Sequence, residues 1–144
     1  MRIIMPGTCL QPLIVVWMLC LASLSVSAAS IENCLSSRNQ TELNICMSER
    51  LEREEEKLNG IYAGYMSSLS ELQRQNFKAV QDSWRNFMHS SCAFESSGLA
   101  GGTLYQTVIA NCEARLVKDR YEEIDFLERC GTMSLSCPAK AASD

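Results

Sequence analysis

The sequence predicts an all-α fold: a disulfide-stapled bundle of three long antiparallel helices with a short N-terminal segment in front. Three observations carry this. Proline is absent between Pro12 and Pro138, so the whole body of the chain is free to be helical. Apolar residues recur every three or four positions through that body, the period of a helix with one buried face. Six cysteines fall after the first thirty residues, an even number that suits structural disulfides.

The first thirty residues stand apart from this body. Arg2 is followed by an uncharged apolar run over 13–26, closed by the small residues Ser27, Ala28 and Ala29. That is the three-part pattern of a secretory signal peptide, cleaved after Ala28 or Ala29. The run is shorter than the ~20 residues that span a bilayer, and Leu19 before Cys20 is too large for a lipid-attachment box. Residues 1–28 therefore read as a leader, 29–130 as one folded domain and 131–144 as a flexible tail. The expected product is exported to the periplasm or secreted, and no later segment is apolar enough to cross a membrane.

Cys9 and Cys20 leave with the leader, and Cys34, Cys46, Cys92, Cys112, Cys130 and Cys137 remain. In an oxidising compartment these are staples. No CxxC occurs and His89 is the only histidine, so neither a redox site nor a metal site is expected, and no cofactor. Loss of Arg2 takes the formal net charge of −4 to −5. An acidic chain lacks the basic patches that neutralise phosphates, which excludes nucleic acid as a partner and is compatible with a basic protein.

The apolar stripes define the elements in order. Leu43, Cys46 or Met47, Leu51, Leu58, Tyr62, Tyr65 and Leu69 mark a first helix over about 42–69. Thr41 is its expected cap. Asn59-Gly60 and Gly64 are weak helix formers, yet the stripe keeps one phase across them, so the helix continues and the glycines are expected to admit a close neighbour. Phe77, Val80, Trp84, Phe87, Met88 and Cys92 mark a second helix over about 71–97, begun by the Ser70/Gln73 capping box. Tyr105, Val108, Ile109, Cys112, Leu116, Ile124 and Leu127 mark a third over about 104–129, with Thr103/Gln106 as its box. Gly98 and Gly131 suit helix ends that need a left-handed residue.

At equal rise per residue, Cys46, Cys92 and Cys112 come level at one end of such a bundle, and Cys34 can reach the same end. Spacing leaves the pairing open; Cys34–Cys92 with Cys46–Cys112 is the arrangement it favours. The glycine-rich stretch "SGLAGGT" (97–103) between Cys92 and Cys112 then becomes a short link between two stapled helices. It lacks the lysine of a phosphate loop and follows no strand. It is first a corner, and second a binding loop held rigid by its staples, with Gly101, Gly102 and Thr103 as candidate contacts.

Catalytic chemistry finds little support. His89 falls beside the core stripe with no nucleophile in view, so a surface or half-buried histidine is expected. Glu52, Glu55 and Glu56 are interleaved with Arg50, Arg53 and Lys57, as on a solvated helix face with i,i+4 pairs. "NQT" at Asn39 fits a glycosylation sequon of only three residues. Nothing here makes an enzyme.

The joint spacing of Cys34, Cys46, "KLNGIY" (57–62), "VQDSW" (80–84), Cys92, "GGT" (101–103), Cys112 and Arg120 resembles the bacterial family named for the lysozyme inhibitor LprI. The resemblance covers about residues 34–127. One departure stands out: Met88-His89 occupies the place where the family usually carries Arg-Asp. The resemblance implies an exported helical domain and a protein partner, a basic lysozyme, whose cleft the inhibitor would occupy. Glu52, Glu55 and Glu56 would supply steering charge and Gly101, Gly102 and Thr103 a rigid loop. The alternative is a non-inhibitory interaction module of the bacterial envelope, because a shared fold does not carry a shared site.

Overall fold

The computed structural model describes residues 31–130 together with 137–138; the leader and the rest of the tail lie outside the described residues. Four helices follow in order: α1 (Ile31–Leu35), α2 (Gln40–Ser67), α3 (Glu71–Glu95) and α4 (Tyr105–Arg129), with one 3-10 turn over Ser97–Leu99. No strand occurs among the described residues. The fold is all-α and disulfide-linked.

Chain order and short links make α3 antiparallel to its neighbours and leave α2 and α4 parallel. Side-chain pairs give the register. Gln40 and Asn44 of α2 meet Thr107 of α4, and Arg50 donates to Asn111 at 2.7 Å, so the two helices advance together. Across α3 and α4, His89 meets Glu113 and Gln81 meets Arg120, a pairing that runs in opposite directions. The α2–α4 contact is the most extensive in the molecule.

The start signals were partly legible. Ser70 and Gln73 close the expected capping box, Ser70 N–H donating to Gln73 Oε1 at 2.9 Å. Helix α2 is capped by Asn39 rather than Thr41: the Asn39 side chain accepts from the Glu42 N–H at 3.0 Å, while a Glu42 carboxylate oxygen accepts from Arg38 N–H. Asn39 and Glu42 form the reciprocal spacing, and Thr41 lies inside the first turn. The Thr103/Gln106 box does not form, because Gly102 to Leu104 is already turned and α4 starts from Leu104 with no side-chain cap. Nor does Gly98 end α3. Ser96 does so in right-handed conformation, its hydroxyl donating to the Cys92 carbonyl at 2.7 Å. Among the described residues only Gly101 has a positive φ, at 79°.

The main core comprises Leu58, Tyr65 and Leu69 of the first hairpin, Met88 of α3, and Val117 and Ile124 of α4. A smaller cluster of Cys34, Met47 and Ala110 fills the other end. The α2 stripe is buried as expected, and α2 runs straight through Gly60 and Gly64. No close neighbour explains those glycines: a Cβ at Gly60 would meet nothing within 4 Å, and one at Gly64 would stand 3.8 Å from a Glu128 oxygen. The α3 stripe is only half right. Met88 and Cys92 are buried, but Val80 and Phe87 are exposed, because α3 rests on the bundle by one edge.

The cystines are Cys34–Cys46, Cys92–Cys112 and Cys130–Cys137. This overturns the favoured Cys34–Cys92 and Cys46–Cys112 arrangement. Four cysteines do gather at one end, but equal height does not decide the partner. Helix α1 folds back on the start of α2, bringing Cys34 to a Cα–Cα distance of 5.5 Å from Cys46. Cys92 faces α4 directly, 5.6 Å from Cys112.

Candidate functional site

Four of the residues that gave the family spacing, Tyr62, Gln81, Trp84 and Arg120, meet around one guanidinium. Arg120 is 8% exposed. Its Nε donates to Gln81 Oε1 at 3.0 Å and its Nη1 to Glu123 Oε2 at 2.8 Å. The rings of Phe77 and Trp84 lie 5.6 and 5.8 Å from the guanidinium carbon, and Tyr62 of α2 stacks on Phe77 at 5.6 Å. A buried charge is costly unless paired, and this one gains hydrogen bonds and two aromatic faces together. Tyr62, Gln81, Trp84 and Arg120 thus tie α2, α3 and α4 at fixed spacing. Gln81 Nε2 and Arg120 Nη2 find no partner among the described residues and are closed off from solvent. This centre ties the three helices together, with one edge of Arg120 reaching the surface of α4.

The stapled end is different. Cys92–Cys112 joins α3 to α4 across the loop, so both strands of the 96–104 link leave from a fixed base. Gly102 N–H donates to the Leu99 carbonyl at 2.9 Å, and Tyr105 N–H to Gly102 at 3.2 Å. Gly101 turns the chain between them in the left-handed region that favours glycine. Gly101, Gly102 and Thr103 are all exposed. The Thr103 hydroxyl makes no hydrogen bond to any described residue, since the box expected to occupy it does not form. Leu99 and Leu104 flank the glycines and are 39% and 45% exposed. Sequence reasoning missed these two, although "GLAGGTLY" shows a leucine on either side of the glycines.

The acidic candidates lie elsewhere. Glu52, Glu55 and Glu56 share one face of α2 at i, i+3 and i+4. Their neighbours are paired, Glu49 with Arg53 at 3.9 Å and Glu54 with Lys57 at 2.9 Å, while Arg50 is drawn to Asn111. None of the three candidates ion-pairs with a described residue. Because Gln40 and Asn44 are level with Thr107, Glu52 stands about 18 Å along the axis from the loop. The structure therefore does not gather the six candidate contacts into one patch. It adds acids that the sequence reading passed over: Asp119, Glu122 and Glu123 rim an open depression of about 600 Å³ on α4 beside Arg120 and Phe126. Among the described residues no cluster of histidine, cysteine or carboxylate side chains is arranged to hold a metal.

At the departure from the family pattern, Met88 is core and His89 is an exposed strut whose Nδ1 lies 2.9 Å from Glu113 Oε1. The contact bridges α3 to α4.

With this geometry in place, comparison with protein families finds a match over residues 32–124 to the family described as lysozyme inhibitor LprI. The chain belongs to the LprI family. Neither the curated proteins nor the solved structures yield a match. The matched span takes in the Arg120 centre, both cystines of the stapled end and the whole loop. LprI membership and the disulfides are consistent with an extracellular or periplasmic location and with a protein partner. Among the described residues no helix is long and apolar enough to cross a membrane.

Proposed function

We propose that this chain is an exported inhibitor that blocks a lysozyme by seating the 98–104 loop in the cleft of the enzyme. The observation that supports it most directly is the loop itself, within an LprI-family domain. It is exposed, crosslinked at its base and turned at Gly101, with a Thr103 hydroxyl that bonds to no described residue. Lysozyme clefts hold two carboxylates between sugar subsites. Backbone amides and the Thr103 hydroxyl are donors matched to such groups, and Leu99 and Leu104 supply apolar anchors beside them. A loop already ordered before binding forfeits little entropy on docking. The carboxylates of Glu52, Glu55 and Glu56, set back from the loop, raise the encounter rate with a basic enzyme through their long-range field.

In this reading residues 1–28 are a signal peptide, residues 29–130 the inhibitory domain and 131–144 a tail, and the protein is no enzyme. The test is lysis of a peptidoglycan suspension by lysozyme, titrated with the oxidised chain starting at Ala29. Stoichiometric loss of lysis is expected. Replacing 98–103 by a linker of equal length should abolish inhibition while the helical circular dichroism stays. Undiminished lysis at large molar excess over animal-type and bacterial lysozymes would sink the proposal and leave a non-inhibitory envelope module.

A further inference from the structure

Helix α3 presents a long face that the other described residues leave largely exposed, with Pro138 beside its Asn76 and Val80. Phe87 is 58% exposed, Phe94 82%, Val80 50% and Leu72 68%. At 100° per residue these four fall on one side of the helix. Asn76, Ser83 and Ser90 lie in the same stripe and are exposed too. Every charged side chain of α3, from Glu71 to Glu95, falls outside this arc, which is about 160° wide and runs nearly the whole length of the helix. A solvated helix face of this length ordinarily carries charges, and α3 places its own to either side.

We propose that this face is a self-association surface, on which a second copy of the chain lays its own α3 antiparallel about a twofold axis. The pattern is self-complementary. Val80, Phe87 and Phe94 recur every seven residues, the repeat of a two-helix seam, and the positions between them are small or short. With the twofold level with residue 85, Phe87 comes opposite the partner's Ser83, Val80 opposite the partner's Ser90 and Phe94 opposite the partner's Asn76. Each large side chain meets a small or short one, twice over by symmetry, so the helices can approach closely. Three exposed apolar side chains per copy, with the small residues between them, bury on the order of 1,000 Å² in total, the lower limit for a specific interface.

Charge favours this occupant. The chain carries a net charge of −4, so two copies tolerate only a contact that places no carboxylates face to face, and this arc has none. A basic partner would find its complement on the acidic faces of α2 and α4 instead. The surface is independent of the 98–104 loop proposed above.

The test is sedimentation velocity of the oxidised chain without its leader, between about 5 and 200 µM. A concentration-dependent dimer is expected, unchanged or tightened as salt rises from about 0.05 to 0.5 M because no ion pair crosses the seam. Phe87→Glu should weaken association by about 100-fold or more, with helical content and melting temperature retained since the side chain is already exposed. Ser83→Arg, at the crossing point, should do the same. A wild-type chain that stays monomeric throughout, or a dimer that both variants keep, overturns the proposal. A monomer whose two variants lose lysozyme binding also overturns it and reassigns the face to a heterologous partner.

Discussion

At the scale of single residues, part of the family spacing marks the interior. Arg120 is held by Gln81, Glu123 and two aromatic faces, and each of these asks for a planar, forked cation. Arg120→Lys keeps the charge but can neither reach both acceptors nor stack. It should cost about 2–4 kcal/mol in chemical denaturation, close to the cost of Arg120→Met, because Gln81 is stranded in both. A wild-type midpoint for the lysine variant would show that charge alone matters. Tyr65 gives a second prediction. Burial pushes its phenol above the usual value of 10.0, so the fold favours the neutral form. That stability is complete below the unfolded value and lost as pH rises through the higher folded one. Tyr65→Phe should therefore lose less stability than the wild type across alkaline pH, the remaining decline coming from groups such as Lys78 and Lys118 whose values are raised as well; parallel declines would refute the assignment.

At the scale of elements, two staples act on different objects. Cys34–Cys46 pins α1 to α2, and Cys92–Cys112 pins α3 to α4 under the loop. Closing 12 and 20 residues respectively, each contributes about 3 kcal/mol by restricting the unfolded chain. Removing either pair to alanine should lower stability comparably, and the helical signal should survive in both. Only the Cys92→Ala/Cys112→Ala chain frees the base of the loop, so only it should lose most of its inhibition at a temperature where both chains remain folded. Equal inhibition by the two variants would detach the loop from the proposed contact. These elements were readily visible in the chain. The period of the α2 and α4 stripes, the absence of proline and the Ser70/Gln73 box placed three long helices within a few residues. The caps at Asn39 and Leu104 escaped because several polar residues compete at a helix start, and the backbone turn before it picks the winner.

At the scale of the whole molecule, charge and shape divide the work. Glu52, Glu55 and Glu56, which ion-pair with no described residue, sit about 18–24 Å along the axis from the loop, beyond the ~10 Å over which 0.1 M salt screens exposed charges. Their contribution should appear in the association rate. Neutralising all three to glutamine should slow inhibitor binding several-fold at low salt and lose that effect near 0.5 M, with dissociation unchanged. Surface plasmon resonance separates the two rates, and a faster dissociation would place the glutamates in the contact itself.

The sequence by itself determined the class, the length and order of the helices, the oxidised state expected of the cysteines and the family, because each rests on local periodicity or on fixed spacing along the chain. Tertiary structure decided what those rules cannot reach. Cys34 pairs with Cys46 and not with the equally level Cys92, because α1 folds back on α2. Val80 and Phe87 face solvent although they keep the helical period, because periodicity names an apolar side without saying whether anything covers it. Thr103 caps no helix although it stands at a box spacing, because the loop has already turned. Height along an axis, a stripe and a spacing are one-dimensional quantities. Which side faces a neighbour is set by how three helices lie around Arg120 in space.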